Sequence, residues 1–446
     1  MQVVDQREPV ATSRASTYLL VALIALIPLS ASLTLFTPAG AHADLNRRTS
    51  TYLFDLALAG LLFVATRRWW RQGRSLPRSP AGRLALGFGV LLLLSFAYHP
   101  STHGLEMVLR IAAGAAVVTE MRRLVGADRH LVLSALFLLG VGESLLSLAQ
   151  AINGDTLGLF PFEMRDYGLF QFGTQPVGQG SFSHPYHLVC CVVVGLGAGF
   201  LALRDTDDDQ HWLWWTGFAV CGMALGTSYS RACLLAVAAA AVVGLVGRPG
   251  AGRQALRVAC AFLVAGFVVA AAAGWDGWQW KQAATSAKPT TRTAAITSAA
   301  NAEPTTGGGG SFDSSRRALI WDARNVVALS PILGVGPGNY VQVVYTSNTS
   351  EYHLPPHNWL AQVAGEEGIP AALVMLALSF AIGWRSLRGW PEGFMAFLLL
   401  FPFWALDAYP YTYPHGIALS ALWLGVIELA RRPSPTRSAP RASTDP

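Results

Sequence analysis

Residues 185–203 read PYHLVCCVVVGLGAGFLAL, without one Asp, Glu, Lys or Arg. A helix needs about 20 apolar residues to cross a hydrocarbon core, so this stretch is read as a membrane span. Comparable stretches recur on both sides of it. They place spans near 17–36, 51–66, 84–99, 105–121 and 130–151 before it, and near 211–227, 231–247, 257–274, 357–384, 393–409 and 413–430 after it. The expected fold class is therefore an all-α polytopic membrane protein with about 12 transmembrane helices. Alternating ten-residue strands are absent, which argues against a barrel. Composition agrees: of 446 residues, 52% are hydrophobic and 13% charged, with a mean hydropathy of +0.38, far from the balance of a soluble domain.

Basic residues fall in alternate short loops. Arg7, Arg14, the run Arg67 to Arg83, Arg122, Arg123, Arg129, Arg204, Arg248, Arg253, Arg257, Arg385, Arg388 and the tail from Arg431 lie on one side. Loops rich in Lys and Arg stay in the cytoplasm, so both termini are expected there. The formal charge of +6 then follows from topology and not from a nucleic-acid partner. The stretch RRWWRQGR at 67–74 fits an interfacial anchor. This divides the chain into helices and short loops over 1–274, a large extracytoplasmic loop over 275–356 that is partly helical from 316, three helices over 357–430, and a cytoplasmic tail over 431–446. Ala-His-Ala at 41–43 resembles a signal-peptidase site. The apolar stretch before it is about 20 residues long against about 7–15 for a signal peptide, so the first span is expected to be retained. Cys190, Cys191, Cys221, Cys233 and Cys260 all fall in expected spans, as packing or lipid-facing residues and not as a disulfide frame or metal site.

Polar chemistry concentrates on the other side, in loops 152–184 and 275–356 and the turn GTSYSRA at 226–232. The first part of the long loop is Ala/Thr/Gly-rich and has no helical periodicity. RRALIWDARNVVAL, from Arg316, reads as a helix, and SPILGVGPGNY ends it. A glycine-rich turn can cradle a phosphate, but no strand precedes this one and Pro337 lacks an N–H, so a structural turn is preferred. Arg231 sits at the outer membrane boundary, placed either for an anionic lipid head or for snorkelling. Arg316 and Arg317 lie in a helix's first turn, against its macrodipole, or simply at a solvated helix start. His357, in PPHNW at 355–359, has three readings: a solvated loop residue, an N-terminal helix residue, or a base facing an acceptor hydroxyl. Asn358 is positioned to cap the helix. An external histidine, boundary arginines and a large external loop together suit one task, holding a lipid pyrophosphate while a hydroxyl is deprotonated. Asp55, Arg110, Glu143 and Asp407 lie within or beside spans and are functional candidates or ion-pair members, with no partner assigned from sequence.

Three segments resemble the O-antigen ligase and polymerase-like membrane glycosyltransferases: SYSRACLLA at 228–236, RALIWDARNVVALSPILGVGPGNY at 317–340, and HNWLAQVAGEEGIPAAL at 357–373. A weaker match, GSFSHPYHLVCCVVVG at 180–195, brings in His184. The resemblance covers roughly 180–375 and implies a GT-C-like fold in a bacterial cytoplasmic membrane. It also implies an undecaprenyl-pyrophosphate-linked glycan donor and transfer outside the membrane, with no cofactor and no metal. By the same resemblance Arg231 and Arg317, with Arg316, hold the pyrophosphate and His357 is the base. Glu366, Glu367, Asn358, Trp321 and His184 support them, with one glutamate pairing an arginine or orienting His357. The expected activity is an inverting, metal-independent O-antigen ligase with lipid A core as acceptor. Polymerisation of repeat units and transfer to protein stay open within the family. The rival from another class is a flippase for lipid-linked sugars, for which Gly- or Pro-broken spans in both halves would speak.

Overall fold

The computed structural model describes residues 14–29, 32–36, 49–72, 79–158, 169–172, 175–182, 184–205, 211–246, 253–275, 312–347, 355–389, 391–407 and 409–431. Among them are sixteen α-helices and two short antiparallel strand pairs. The first nine helices are α1 (Arg14–Leu26), α2 (Leu53–Arg71), α3 (Pro80–Tyr98), α4 (Thr102–Met121), α5 (Gly126–Asn153), α6 (Pro185–Arg204), α7 (His211–Thr227), α8 (Arg231–Val246) and α9 (Arg253–Ala273). Then follow α10 (Phe312–Leu329), α11 (Tyr340–Ser347), α12 (Trp359–Glu367), α13 (Ile369–Leu387), α14 (Glu392–Leu406), α15 (Tyr409–Thr412) and α16 (Pro414–Ala430). The protein is a polytopic membrane protein. Five of its described helices are long and apolar enough to cross a membrane: Pro80–Tyr98, Gly126–Asn153, Pro185–Arg204, Gln254–Ala273 and Ile369–Leu387.

The opening stretch forms α6, and nearly all its side chains are buried. A helix apolar on every face must be surrounded on every face, and α6 packs against α5, α14 and α16. The five cysteines are free and buried, as packing residues. At the rim, α3 and α13 turn Leu86, Val90, Leu93, Leu373, Phe380 and Trp384 outward, the apolar exposure expected of lipid-facing helices.

Two expected spans come out differently. The span near 17–36 is shorter: α1 ends at Leu26, a single 3-10 turn covers Ile27–Leu29, and Ser32–Phe36 is a strand (β1) paired with Thr49–Tyr52 (β2). Pro28, which cannot donate to a helix interior, lies at that end. The α1 side chains Leu20, Leu23 and Ile24 are buried in the main core, while Ala-His-Ala at 41–43 lies outside the described residues. The span near 357–384 is two helices, α12 and α13, broken at Gly368 with φ of +92°, a conformation that L side chains rarely adopt. Pro370 then occupies the first turn of α13, where its missing N–H costs nothing. In the long loop, α10 starts at Phe312, ahead of the expected 316.

Many of the arginines form three clusters of ion pairs. Arg68 and Arg123 meet Glu120, Arg129 and Arg204 meet Asp205, and Arg122, Arg385 and Arg431 meet Glu428. Arg204 also reaches Glu392 and the Ala430 carbonyl, which ties the helix ends at this side together. Toward the opposite ends of α2 and α4, buried Arg110 grips Asp55 through Nε at 3.1 Å and Nη2 at 2.6 Å, and pairs with Glu106. Glu143 accepts from the Ser181 N–H and Oγ, each at 2.8 Å, and holds the segment before α6. Arg110→Ala would leave the half-buried Asp55 and Glu106 facing each other without their cation, at a cost approaching the ~3 kcal/mol of a broken buried pair. Thermal unfolding in detergent should show a much lower midpoint, and an unchanged one would mean the pair contributes nothing to stability.

Candidate functional site

His357 stands just before α12 and Asp407 just after α14, and the two meet: Nδ1 of His357 lies 3.3 Å from Oδ2 of Asp407. Two anchors hold them there. Asn358 caps α12 by accepting the Ala361 N–H at 3.0 Å, which fixes the first turn. One residue on, buried Trp359 packs on Trp404 with ring centroids 5.3 Å apart, and the Trp404 indole donates to Ser420 Oγ. The tryptophan contact pulls the start of α12 onto the end of α14. His357 is the exposed member and Asp407 the more buried one. With Asp407 ionised, the imidazole proton resides on Nδ1 and Nε2 is left as the basic nitrogen.

The remaining face of Asp407 is built into the bundle. Its Oδ1 accepts the Tyr409 N–H at 3.1 Å, and the Tyr409 ring stacks on His187 of α6 at 3.9 Å. His187 in turn lies 5.6 Å from His184. His184 caps α6, its Nδ1 accepting the Tyr186 N–H at 3.0 Å, so its part here is to start that helix. The helix α14 starts beside Arg204 through Glu392 and ends just before Asp407, while α7 starts soon after Arg204 and hands over to α8 by a tight turn at its other end. Arg231 is the first residue of α8, two positions before Cys233, and is exposed. It therefore opens at the same end of the bundle as the His357–Asp407 pair. The turn before it is tight: Ser228 Oγ donates to the Leu225 carbonyl at 2.6 Å, and Tyr229 adopts φ of +49°, an uncommon conformation for a residue with a side chain.

The loop between α10 and α11 lies on the break at Gly368. Val335 N–H donates to the Gly365 carbonyl, Gly336 N–H to the Glu366 carbonyl and Ile369 N–H to the Pro331 carbonyl, at 2.8–2.9 Å. These donors are spent on protein backbone, so the glycine-rich segment is a structural turn and no phosphate cradle. Gly334, at φ of +67°, lies so close to the Glu366 backbone that a Cβ would collide with it. Ser95 Oγ at the end of α3 donates to the Glu366 carbonyl at 2.8 Å, and Ser101 Oγ donates to Asn339 Oδ1 at 2.9 Å, which docks the α3–α4 turn on the same loop.

Glu366 and Glu367 are buried beneath this turn. The Glu366 carboxylate accepts the Tyr340 N–H at the start of α11 and the Gln362 amide at 2.7 Å. Among the described residues neither glutamate hydrogen-bonds His357 or an arginine. Glu366 supports the loop through the Tyr340 N–H, and pairing of either glutamate with Arg316 or Arg317 lies outside the described residues. On α10, Trp321 is exposed with the Arg324 guanidinium 5.2 Å from its ring. Arg316 and Arg317 lie on the first turns of α10, and their side chains are outside the described residues. Asp407 is the residue that sequence reasoning left unassigned. Its one signal was a carboxylate at the end of an apolar span.

Among the described residues no group of three His, Cys, Asp or Glu side chains is placed to hold a metal ion. No curated protein matches the chain. A family model described as O-antigen ligase matches residues 216–376, from α7 into α13. That segment includes Arg231, Arg316, Arg317, Trp321, His357, Asn358, Glu366 and Glu367, while His184 and Asp407 lie beyond its ends.

Proposed function

Starting from the O-antigen ligase match over residues 216–376, we propose that this protein is a membrane glycosyltransferase. It moves a glycan from undecaprenyl pyrophosphate to an acceptor hydroxyl on the extracytoplasmic side of a bacterial cytoplasmic membrane, with both termini in the cytoplasm. The observation that carries the proposal is the His357–Asp407 pair, at the end of the bundle where Arg231 also opens. His357 Nε2 takes the hydroxyl proton, and Asp407 holds the tautomer and the developing imidazolium. The acceptor oxygen attacks the anomeric carbon as the bond from that carbon to the phosphate oxygen breaks, on the opposite face, so the centre inverts. The electron pair leaves on undecaprenyl pyrophosphate. Arg231 and Arg317, with Arg316, receive that charge, and fixed cations need no reorganisation as it forms.

The acceptor proposed first is lipid A core, which makes the protein an O-antigen ligase of GT-C-like architecture with about 12 crossings. Repeat-unit polymerisation or transfer to protein would use the same chemistry. The break at Gly368 is of the kind that would favour a flippase, but it is occupied by the glycine-rich loop and Ser95, which supports a docking role. The test is purified protein in liposomes with a lipid-pyrophosphate glycan and candidate acceptors. A new glycan–acceptor bond is expected, whereas donor crossing the bilayer without transfer would establish the flippase. Transfer is expected to continue at an undiminished rate in EDTA, since the proposed steps use only His357, Asp407 and arginines. Loss in EDTA with recovery on adding magnesium would refute this scheme.

A further inference from the structure

The helix α10 is apolar on two faces. One face, with Leu319, Ala323 and Val326, is buried, the last two in a cluster with Tyr340, Val341 and Val344 of α11. The other carries Ile320, Trp321 and Leu329, each more than half exposed, and the turn that follows adds Ile332, the most exposed of the four. A soluble surface rarely collects apolar side chains of this size on one side. The cover for this face is indicated by what it runs into. Ile332 sits at the base of α13, since the Ile369 N–H donates to the Pro331 carbonyl at 2.9 Å and the Ile332 carbonyl lies against Gly368. From Ile369 the exposed apolar surface continues through Leu373 and Phe380 to Trp384, along a helix long and apolar enough to cross a membrane. The outer face of α10 is thus continuous with a lipid-facing stripe. The pairing of Trp321 with Arg324 at 5.2 Å suits the headgroup level, where an indole lies between apolar and wet surroundings and a guanidinium meets lipid phosphate.

We propose that α10 is an interfacial helix, bedded through Ile320, Trp321, Leu329 and Ile332 in the leaflet at the His357 end of the bundle, with Arg324 among the lipid phosphates. This inference does not depend on glycan transfer. It gives the segment a bilayer depth, so the loop between α10 and α11 is held from the lipid side as well as from Gly368.

The experiment uses the full chain, one copy per nanodisc, with Trp321→Cys or Ile332→Cys labelled by a polarity-sensitive fluorophore. Phe380→Cys serves as a deep reference and exposed Thr346, as Thr346→Cys, as a wet one. The native cysteines are buried, and the parent chain gives the labelling blank. Labels at 321 and 332 should emit to the blue of the label at 346. They should lose most of their intensity to a nitroxide lipid labelled near the headgroup, and little to a water-soluble quencher. The label at 380 should respond most to a nitroxide deep in the acyl chain. If 321 and 332 are quenched from water as strongly as 346, α10 stands clear of the bilayer and the proposal fails. It fails equally if neither quencher reaches them, because protein then covers the face. A variant that misfolds is recognised by a broadened elution profile, and the second position then decides.

Discussion

His357→Ala is expected to lower glycan transfer by about 10²–10⁴-fold, the usual contribution of a positioned general base, while the lipid-pyrophosphate donor still binds. The split follows from the proposed arrangement, in which His357 faces the acceptor proton and the donor charge is left to arginines. His357→Gln should be nearly as inactive, since it keeps hydrogen bonding without useful basicity. Asp407→Asn tests the pair itself. Asparagine can still touch Nδ1, but it no longer selects the tautomer or stabilises the imidazolium, so kcat should fall with little change in donor KM. Transfer would be followed by gel shift of the glycosylated acceptor, and donor affinity by direct binding. A glutamine variant working at the normal rate would remove His357 from the chemistry.

Arg231→Ala is expected to reduce transfer by about 10²–10³-fold, the scale seen when one fixed donor to a developing anion is lost. Its place at the first residue of α8, after a turn tightened by Ser228 and Tyr229, fixes its backbone at the end of the bundle. Lysine should restore part of the rate, because it supplies charge but not the planar two-pronged contact. A normal rate in the alanine variant would leave Arg231 as a boundary residue with no part in catalysis.

Hydropathy placed an apolar run at each of the five helices long and apolar enough to cross a membrane, because burial in lipid requires long apolar runs and leaves them visible in one dimension. It failed where a run was apolar but not continuous as a helix. GEEGIP at 365–370 carries a glycine and a proline at the positions that end one helix and begin another, yet the apolar residues on either side read as one span. Pro28 gave a similar sign near the end of α1. Asn358 was legible from local context as the cap of α12. Asp407 was not recognisable as the partner of His357, since that pairing depends on Trp359 meeting Trp404 across two helices, and no local pattern records such a contact. Asp55 with Arg110, 55 positions apart, and Glu143 with Ser181 were hidden for the same reason. The glutamates after Gly365 were visible as acidic residues, but their burial beneath a distant loop was not.

The hydrogen bond from Ser95 to the Glu366 carbonyl joins residues 271 positions apart. A ribosome adding about 5–20 residues per second needs roughly 15–50 s to make that length of chain. For that interval α3 and α4 are already made, while Glu366 and Asn339, which will accept from Ser95 and Ser101, do not yet exist. During synthesis the amino-terminal helices must wait with polar groups unmet, a state in which an insertion chaperone or the translocon itself has reason to hold them. A chain that stalls before α12 would leave the cell with a bundle that is inserted but unlocked, and quality-control proteases would meet it in that form.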